Sequence, residues 1–156
     1  MAVADFVVSL LTFVAIYSLF GIGLNLKFGF TGLIDFGHVA YFMIGAYVTV
    51  VLTMPVGAAG YSGIGGFALP EVLGVLGPLG SFLGWTLGVL GGMIAAALVS
   101  LAVGVPTLRL REDYLAITAL GIATILTTVV NDEEGLFNGR FGLNTVKAPL
   151  RDVFPL

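Results

Sequence analysis

Long runs of hydrophobic residues alternate along this chain with short clusters rich in glycine and polar residues. Four of these runs approach the length of a membrane helix: residues 6–24, 36–54, 82–105 and 115–130. Crossing the hydrocarbon core takes about 20 apolar residues as a helix, so the fourth run is on the short side. The runs are continuous, whereas a β-barrel needs short alternating segments and an open sheet leaves unpaired edges in lipid. The pattern therefore predicts an all-α, polytopic transmembrane helical bundle with about four spans.

The remaining segments complete this organisation. Residues 55–81 are glycine-rich and still apolar. We expect them to lie partly in the membrane or against the bundle, with a re-entrant piece as a further possibility. Residues 1–131 are thus predicted to be the transmembrane helical region, and residues 132–156 an external loop or truncated tail.

Composition supports lipid as the solvent and narrows the possible chemistry. The chain has 156 residues, of which 58% are hydrophobic and 10% charged, and its mean hydropathy is +1.11. A soluble domain of this size needs far more polar surface. The net charge of −3 argues against nucleic-acid binding, and no cysteine is available for a disulfide or a thiolate metal site. With no nucleophile–base set and no metal-ligand spacing, we expect a protein that is not an enzyme and has no metal or cofactor.

Basic residues in the short loops predict the orientation. Lys27 follows the first run, and Arg109 and Arg111 follow the third, whereas the segment between the second and third runs carries no basic residue. The first and third loops are therefore predicted to face the cytoplasm, with the N-terminus and residues 132–156 outside. Three basic residues of that tail oppose this assignment, namely Arg140, Lys147 and Arg151.

The third run contains a row of small residues that recur at every fourth position. The row comprises Gly80, Gly84, Gly88, Gly92, Ala96, Ser100 and Gly104. In lipid, helices associate where small side chains let their backbones approach closely, so the row predicts a central, packed helix. The alternative is that glycine is simply common, since the chain has 23 of them. The fourth run has a weaker row containing Thr124 and Thr128, whose hydroxyls we expect to bond to carbonyls of their own helix.

Residues 21–38 combine dense glycines with polar residues between two apolar runs. Such a segment is typical of a helix broken near a transport path, because irregular backbone at membrane depth must line a cavity or be buried in protein. The candidate residues for a translocation path or a structural motif are Asn25, Gly29, Gly32, Asp35, Gly37 and His38.

The individual polar residues of this segment each leave two interpretations open. Asp35 and His38 are three residues apart and could pair on one helix face, or both could sit hydrated at the cytoplasmic interface. Asn25 could cap the end of the first span or form a hydrogen bond to another helix. His38 is the only histidine, which makes it a poor candidate for a metal ligand.

Two stretches resemble branched-chain amino acid ABC transporter permeases. Residues 21–47 resemble the family's GLNL…GL…GH.AFF.IGAY stretch, which adds Gly45 to the candidate positions. Residues 104–121 resemble its G.P.LRLRGDYLAI.TLG stretch, with Glu112 in place of the usual glycine. The second stretch marks Arg109, Arg111, Asp113 and Tyr114 as residues of a cytoplasmic loop. Residues 137–143 resemble a degenerate form of the family's external TGG..GL loop.

The resemblance implies a permease subunit in the plasma membrane that imports branched-chain amino acids. It also implies three kinds of partner: a second permease subunit, cytoplasmic ATP-binding subunits and an external substrate-binding protein. Family permeases are longer than this chain, so a truncated, split or partial permease corresponding to the N-terminal half is expected. The alternatives are a urea or short-chain amide permease of the same family, and an autonomous small membrane channel or structural protein.

Overall fold

The computed structural model describes residues 2–32, 36–55, 66–107 and 109–143. These ranges contain α-helices and one 3-10 turn, with an isolated bridge between Pro55 and Phe67 and no β-strand. The predicted all-α class is thereby confirmed. In chain order the elements are α1 (Ala2–Thr31), α2 (His38–Thr53), α3 (Leu69–Gly74), α4 (Pro78–Thr107), α5 (Glu112–Asp132), α6 (Glu134–Phe137) and the 3-10 turn Gly139–Phe141.

Three of these helices, α1, α4 and α5, are long and apolar enough to cross a membrane. Helix α2 is also apolar but has only 16 residues. At 1.5 Å per residue it extends about 24 Å, which is less than the roughly 30 Å of the hydrocarbon core. The described residues therefore contain three helices of spanning length and a shorter fourth one, where the hydrophobic runs predicted about four spans.

Helix α1 continues much further than the sequence pattern predicted. It runs without interruption through Asn25 and Gly29 to Thr31, so residues 21–31 of the predicted broken segment are helical and the interruption begins only at Gly32. The helix ends where Gly32 adopts a φ of +68° and its N–H donates to the Phe28 carbonyl at 2.7 Å. This left-handed glycine is a common way for a helix to stop.

Helices α3 and α2 pack one after the other along the same face of α4. Helix α2 runs antiparallel to it, because Gly45 lies beside Ala96 near one end of their contact and Thr53 lies beside Gly88 near the other. The chain returns to the end of α2, where the N–H of Phe67 donates to the Val51 carbonyl at 3.2 Å. From there α3 packs against the first turns of α4, which follows directly after it.

Helix α5 packs against both α2 and α4 and buries Leu115, Ala119 and Val130. The chain then folds back over the end of α5, since α6 and the 3-10 turn both contact that helix. The ring of Phe137 on α6 meets the ring of Tyr47 on α2 edge-on at 5.3 Å. This contact holds the segment after α5 against the bundle.

Candidate functional site

The contact between α2 and α4, called the α2–α4 seam below, brings two sets of small residues together. Gly88 and Gly92 on α4 face Gly45, Thr49 and Thr53 on α2. A Cβ added to Gly92 would lie 2.5 Å from the Gly45 carbonyl oxygen and would overlap the Thr49 hydroxyl. A Cβ added to Gly88 would overlap the Thr53 methyl group. The two backbones can approach this closely only because both α4 positions are glycine.

The two seam threonines satisfy their hydroxyls within α2. The Thr49 hydroxyl donates to the Gly45 carbonyl at 2.8 Å, and the Thr53 hydroxyl donates to the Thr49 carbonyl at 2.8 Å. No buried side-chain polar atom among the described residues lacks a hydrogen-bond partner. The seam is therefore a close packing contact whose threonine hydroxyls are satisfied within α2.

The small-residue row of α4 contacts other helices over most of its length. Gly80 meets Leu73 at the end of α3, and Gly84 lies against Pro70, whose Cα would be 2.5 Å from an added Cβ. Ala96 lies against Gly45 of α2. The row therefore receives α3 at its beginning and α2 in its middle.

The C-terminal end of the row is different. Ser100 is half-buried. An added Cβ on Gly104 would meet no described atom within 4 Å. A packing role for Gly104 therefore stays a prediction, because no close contact of the kind made by Gly88 and Gly92 occurs at this position.

Sequence reasoning missed the α2 side of the seam. Only the family resemblance predicts a role for Gly45, and none is predicted for Thr49 or Thr53. These three residues recur at every fourth position, which is the same spacing as the row on α4. That spacing was the available signal.

A second contact joins α1 to the beginning of α2 and is called the α1–α2 junction below. The Phe20 ring lies 4.9 Å from the imidazole of His38 and 5.7 Å from the ring of Phe42. Further along α1, the Lys27 ammonium lies 5.6 Å from the centre of the Tyr41 ring. Since α1 is otherwise almost entirely exposed, this junction is its main attachment to the described bundle.

Gly23 allows the junction to close. It stands one turn after Phe20 on the same face of α1, and a Cβ added to it would lie 3.1 Å from His38 Nε2. A larger side chain there would push the imidazole away from α1. The aromatic neighbours of His38 are not metal ligands, and no group of three possible metal ligands occurs among the described residues.

Asn25 and Gly29, which were predicted to belong to a broken segment, lie on the exposed surface of α1. Residues two positions apart in a helix differ by about 200° around its axis, so Asn25 points away from Gly23, the glycine of the junction. Shallow concavities flank Asn25, one reaching Gly29 and the other Gly21. The amide thus lies on a face of α1 that contacts no other described helix.

The other predicted positions of this segment fall at the turn between the helices. Gly32 ends α1, and Gly37 is buried immediately before His38, the first residue of α2. Asp35 lies outside the described residues, so its pairing with His38 stays a prediction.

The predicted cytoplasmic loop is a short link between α4 and α5. Arg109 and Arg111 are exposed, and Tyr114 is exposed in the first turn of α5. Asp113 lies in that same turn, and its side chain is outside the described part of the structure. The structure thus places the two arginines and the tyrosine on one end of the α4–α5 pair, away from the α2–α4 seam.

Comparison with known proteins gives this helical arrangement a family. The model of the family described as the permease component of branched-chain amino acid transport systems matches residues 6–151. A high-affinity branched-chain amino acid transport system permease protein LivM from Salmonella typhimurium is 30% identical over 142 residues. The protein of the same name from Escherichia coli is also 30% identical over 142 residues. A probable branched-chain amino acid transport permease protein LivM from Methanocaldococcus jannaschii is 25% identical over 150 residues.

These alignments cover nearly all of this chain but only part of each relative. They include 91% of the chain and 28% of each enterobacterial protein, and 90% of the chain and 43% of the archaeal protein. No solved structure matches the chain. The family match extends from the first half of α1 to beyond the 3-10 turn and so includes both the junction and the seam. This multi-pass membrane chain therefore belongs to the family of permease components of branched-chain amino acid transport systems.

Proposed function

We propose that this chain is part of the membrane permease of an ABC importer that carries branched-chain amino acids and is energised by partner ATPases. The observation that carries the proposal is the family match over residues 6–151. The names of the three relatives point to the same class of substrate. The described helices are compatible with this role, since they form an apolar bundle with one closely packed seam and one exposed asparagine on α1.

The proposed partners are a second permease subunit, cytoplasmic ATP-binding subunits and an external substrate-binding protein. The proposed orientation places the N-terminus and residues 132–156 outside and the α4–α5 link inside. Support comes from the positions of Lys27, Arg109 and Arg111, because basic residues are enriched in short cytoplasmic loops.

Within this permease we propose that the exposed Asn25 face of α1 and the adjoining turn to α2 contribute to the translocation path. A polar amide on an apolar helix is stable where it meets a polar partner or water, and both are available along such a path. Helices α2 and α4 would form a rigid body beside this path, because their backbones are in close contact at the glycines of the α2–α4 seam. Helix α1, held mainly at the junction, would be the element free to shift.

The test is uptake by the complete system. The full chain would be expressed with its ATP-binding and substrate-binding partners in cells that lack leucine import, and uptake of radiolabelled leucine and urea would be measured. ATP-dependent leucine uptake that requires the chain is the expected result. Urea uptake without leucine uptake would replace the substrate assignment. Flux through liposomes containing this chain alone and no ATP would overturn the permease assignment in favour of an autonomous channel.

A double variant tests the residues of the proposed path. Asp35→Asn, alone and combined with His38→Ala, should lower leucine uptake by the complete system while membrane levels of the protein stay unchanged; the single variant keeps the imidazole that packs against Phe20 in the α1–α2 junction. Val39→Ala is the matched control, because Val39 follows His38 on α2 and is 60% exposed. Unchanged uptake in the double variant would show that the polar turn is structural.

A further inference from the structure

The link between α4 and α5 is too short to project from the membrane. Only four residues separate the end of α4 at Thr107 from the start of α5 at Glu112. Both of its ends are tied down, since the Leu110 N–H donates to the Thr107 carbonyl at 2.9 Å and the Leu115 N–H donates to the Arg111 carbonyl at 2.9 Å. Because α4 and α5 both have spanning length, this link lies at the level of the lipid headgroups.

The side chains of the link combine positive charge with exposed apolar surface. Arg109 and Arg111 are both exposed, and neither forms an ion pair or hydrogen bond within the described part of the chain. Leu110 between them is 43% exposed, and Tyr114 one turn into α5 is 62% exposed. Arginine and tyrosine are the residues that anchor helices at membrane interfaces, with an apolar stem in lipid and a polar end at the headgroups.

We propose that the surface formed by Arg109, Leu110, Arg111 and Tyr114 binds the headgroup of an anionic phospholipid. The planar guanidinium groups match phosphate oxygens with paired hydrogen bonds, and Leu110 and Tyr114 contact the adjoining upper part of the acyl chains. The inference concerns a surface distinct from the translocation path and does not depend on the transported substrate.

Two features favour a lipid over an acidic partner protein. The tied-down link presents no loop that could enter a groove of a soluble subunit. Its exposed leucine and tyrosine are also placed where acyl chains begin. The sequence sets Glu112 and Asp113 directly after Arg111, at the start of α5, where the helix dipole stabilises carboxylates. These carboxylates offset the long-range attraction, so binding must come from direct guanidinium–phosphate contact.

The experiment measures lipid binding by the purified full chain in neutral detergent. Native mass spectrometry would compare retention of phosphatidylglycerol with retention of phosphatidylcholine. The intact chain should prefer phosphatidylglycerol, and Arg109→Gln with Arg111→Gln should remove most of the preference. Loss of both guanidinium–phosphate contacts should lower the preference for phosphatidylglycerol severalfold.

Control variants and a soluble competitor distinguish phospholipid binding at the link from general attraction between charges. Arg140→Gln is the matched variant, because Arg140 is an exposed arginine in the 3-10 turn and lies outside the link. Arg140→Gln should keep the full preference for phosphatidylglycerol. The charge-preserving pair Arg109→Lys and Arg111→Lys should keep a weaker preference. Size-exclusion chromatography would establish that each variant is folded. Equal binding of the two lipids by the intact chain, an unchanged preference in the glutamine pair, or full competition by free glycerol phosphate would overturn the proposal.

Discussion

Helices α1 and α4 are matched in length and hydropathy but differ almost completely in their surroundings. Each has 30 residues, and the most apolar stretch of each has the same mean hydropathy. No residue in that stretch of α1 is buried, whereas α2 and α3 pack on α4 along a row of buried glycines. Hydropathy therefore identifies both helices as membrane segments and says nothing about which of them packs.

The difference lies in where small residues occur and what lies opposite them. Acyl chains are as apolar as leucine, so burying a large side chain between helices gains little over leaving it in lipid. Close approach of two backbones is possible only between helices and not against lipid. It occurs at Gly88 and Gly92 of α4. On α1 an added Cβ on Gly21 or Gly29 would meet nothing within 4 Å, and only Gly23 closes against another helix.

The largest effect is expected from filling the α2–α4 seam. Gly88→Leu combined with Gly92→Leu should destabilise the bundle by about 2–6 kcal/mol, because overpacking costs about 1–3 kcal/mol per site and both backbones are already in contact. The measurement is unfolding of the purified chain in mixed micelles, followed by circular dichroism as the denaturing detergent is raised. The double variant should unfold at a clearly lower detergent fraction.

Gly104→Leu is the matched control for that variant. Gly104 belongs to the same four-residue row on the same helix, but an added Cβ there has open space around it. Its unfolding transition should stay close to that of the unsubstituted chain. Equal destabilisation by the seam pair and by Gly104→Leu would mean that glycine itself, and not the contact with α2, determines the stability of α4.

A smaller effect is expected at the α1–α2 junction, the main attachment of α1 to the described bundle. Gly23→Leu should push His38 away and separate α1 from α2 while the seam remains intact. Because the chain has no cysteine, a cysteine pair at Phe20 and Phe42 joined by a short bifunctional thiol reagent can report the separation of α1 and α2, since the two rings meet across the junction. Cross-linking of that pair should fall severalfold when Gly23→Leu is added.

Gly21→Leu serves as the comparison for this probe, since Gly21 lies on α1 two residues away and faces open space. Cross-linking should be unchanged by it. If Gly23→Leu leaves cross-linking intact, then α1 is held by contacts other than the α1–α2 junction.

The sequence revealed the apolar helices and the spacing on α4, but it misplaced the end of α1. Glycines at positions 21, 23 and 29 suggested a break, yet the helix continues to Thr31. In lipid a broken helix leaves backbone groups without water, so glycine alone does not end a helix there. The actual stop depends on the left-handed conformation of Gly32, which residue type permits but does not require.

The α1–α2 junction was equally hard to predict. Its contact pairs, such as Phe20 with His38, join residues of different helices whose relative rotation no local pattern specifies. The seam was more accessible, because a four-residue spacing on α2 matches the one on α4. Regular spacing thus predicts which face of a helix packs, whereas the identity of its partner follows only from the assembled bundle.

The smallest effect is expected from the hydroxyl groups. Thr49→Val keeps the shape of a side chain in the α2–α4 seam and removes a hydroxyl that bonds only to Gly45 of its own helix. The Gly45 carbonyl keeps its backbone hydrogen bond within the helix. The free energy of unfolding should therefore fall by less than about 1 kcal/mol in the same measurement. Thr124→Val is the comparison on α5, where the exposed hydroxyl bonds to Leu120 in the same way, and it should change stability by less than about 0.5 kcal/mol. A loss at Thr49 as large as that of the leucine pair would show that the seam depends on hydrogen bonding across the helices. A small loss would leave close backbone packing as the property that separates α4 from α1.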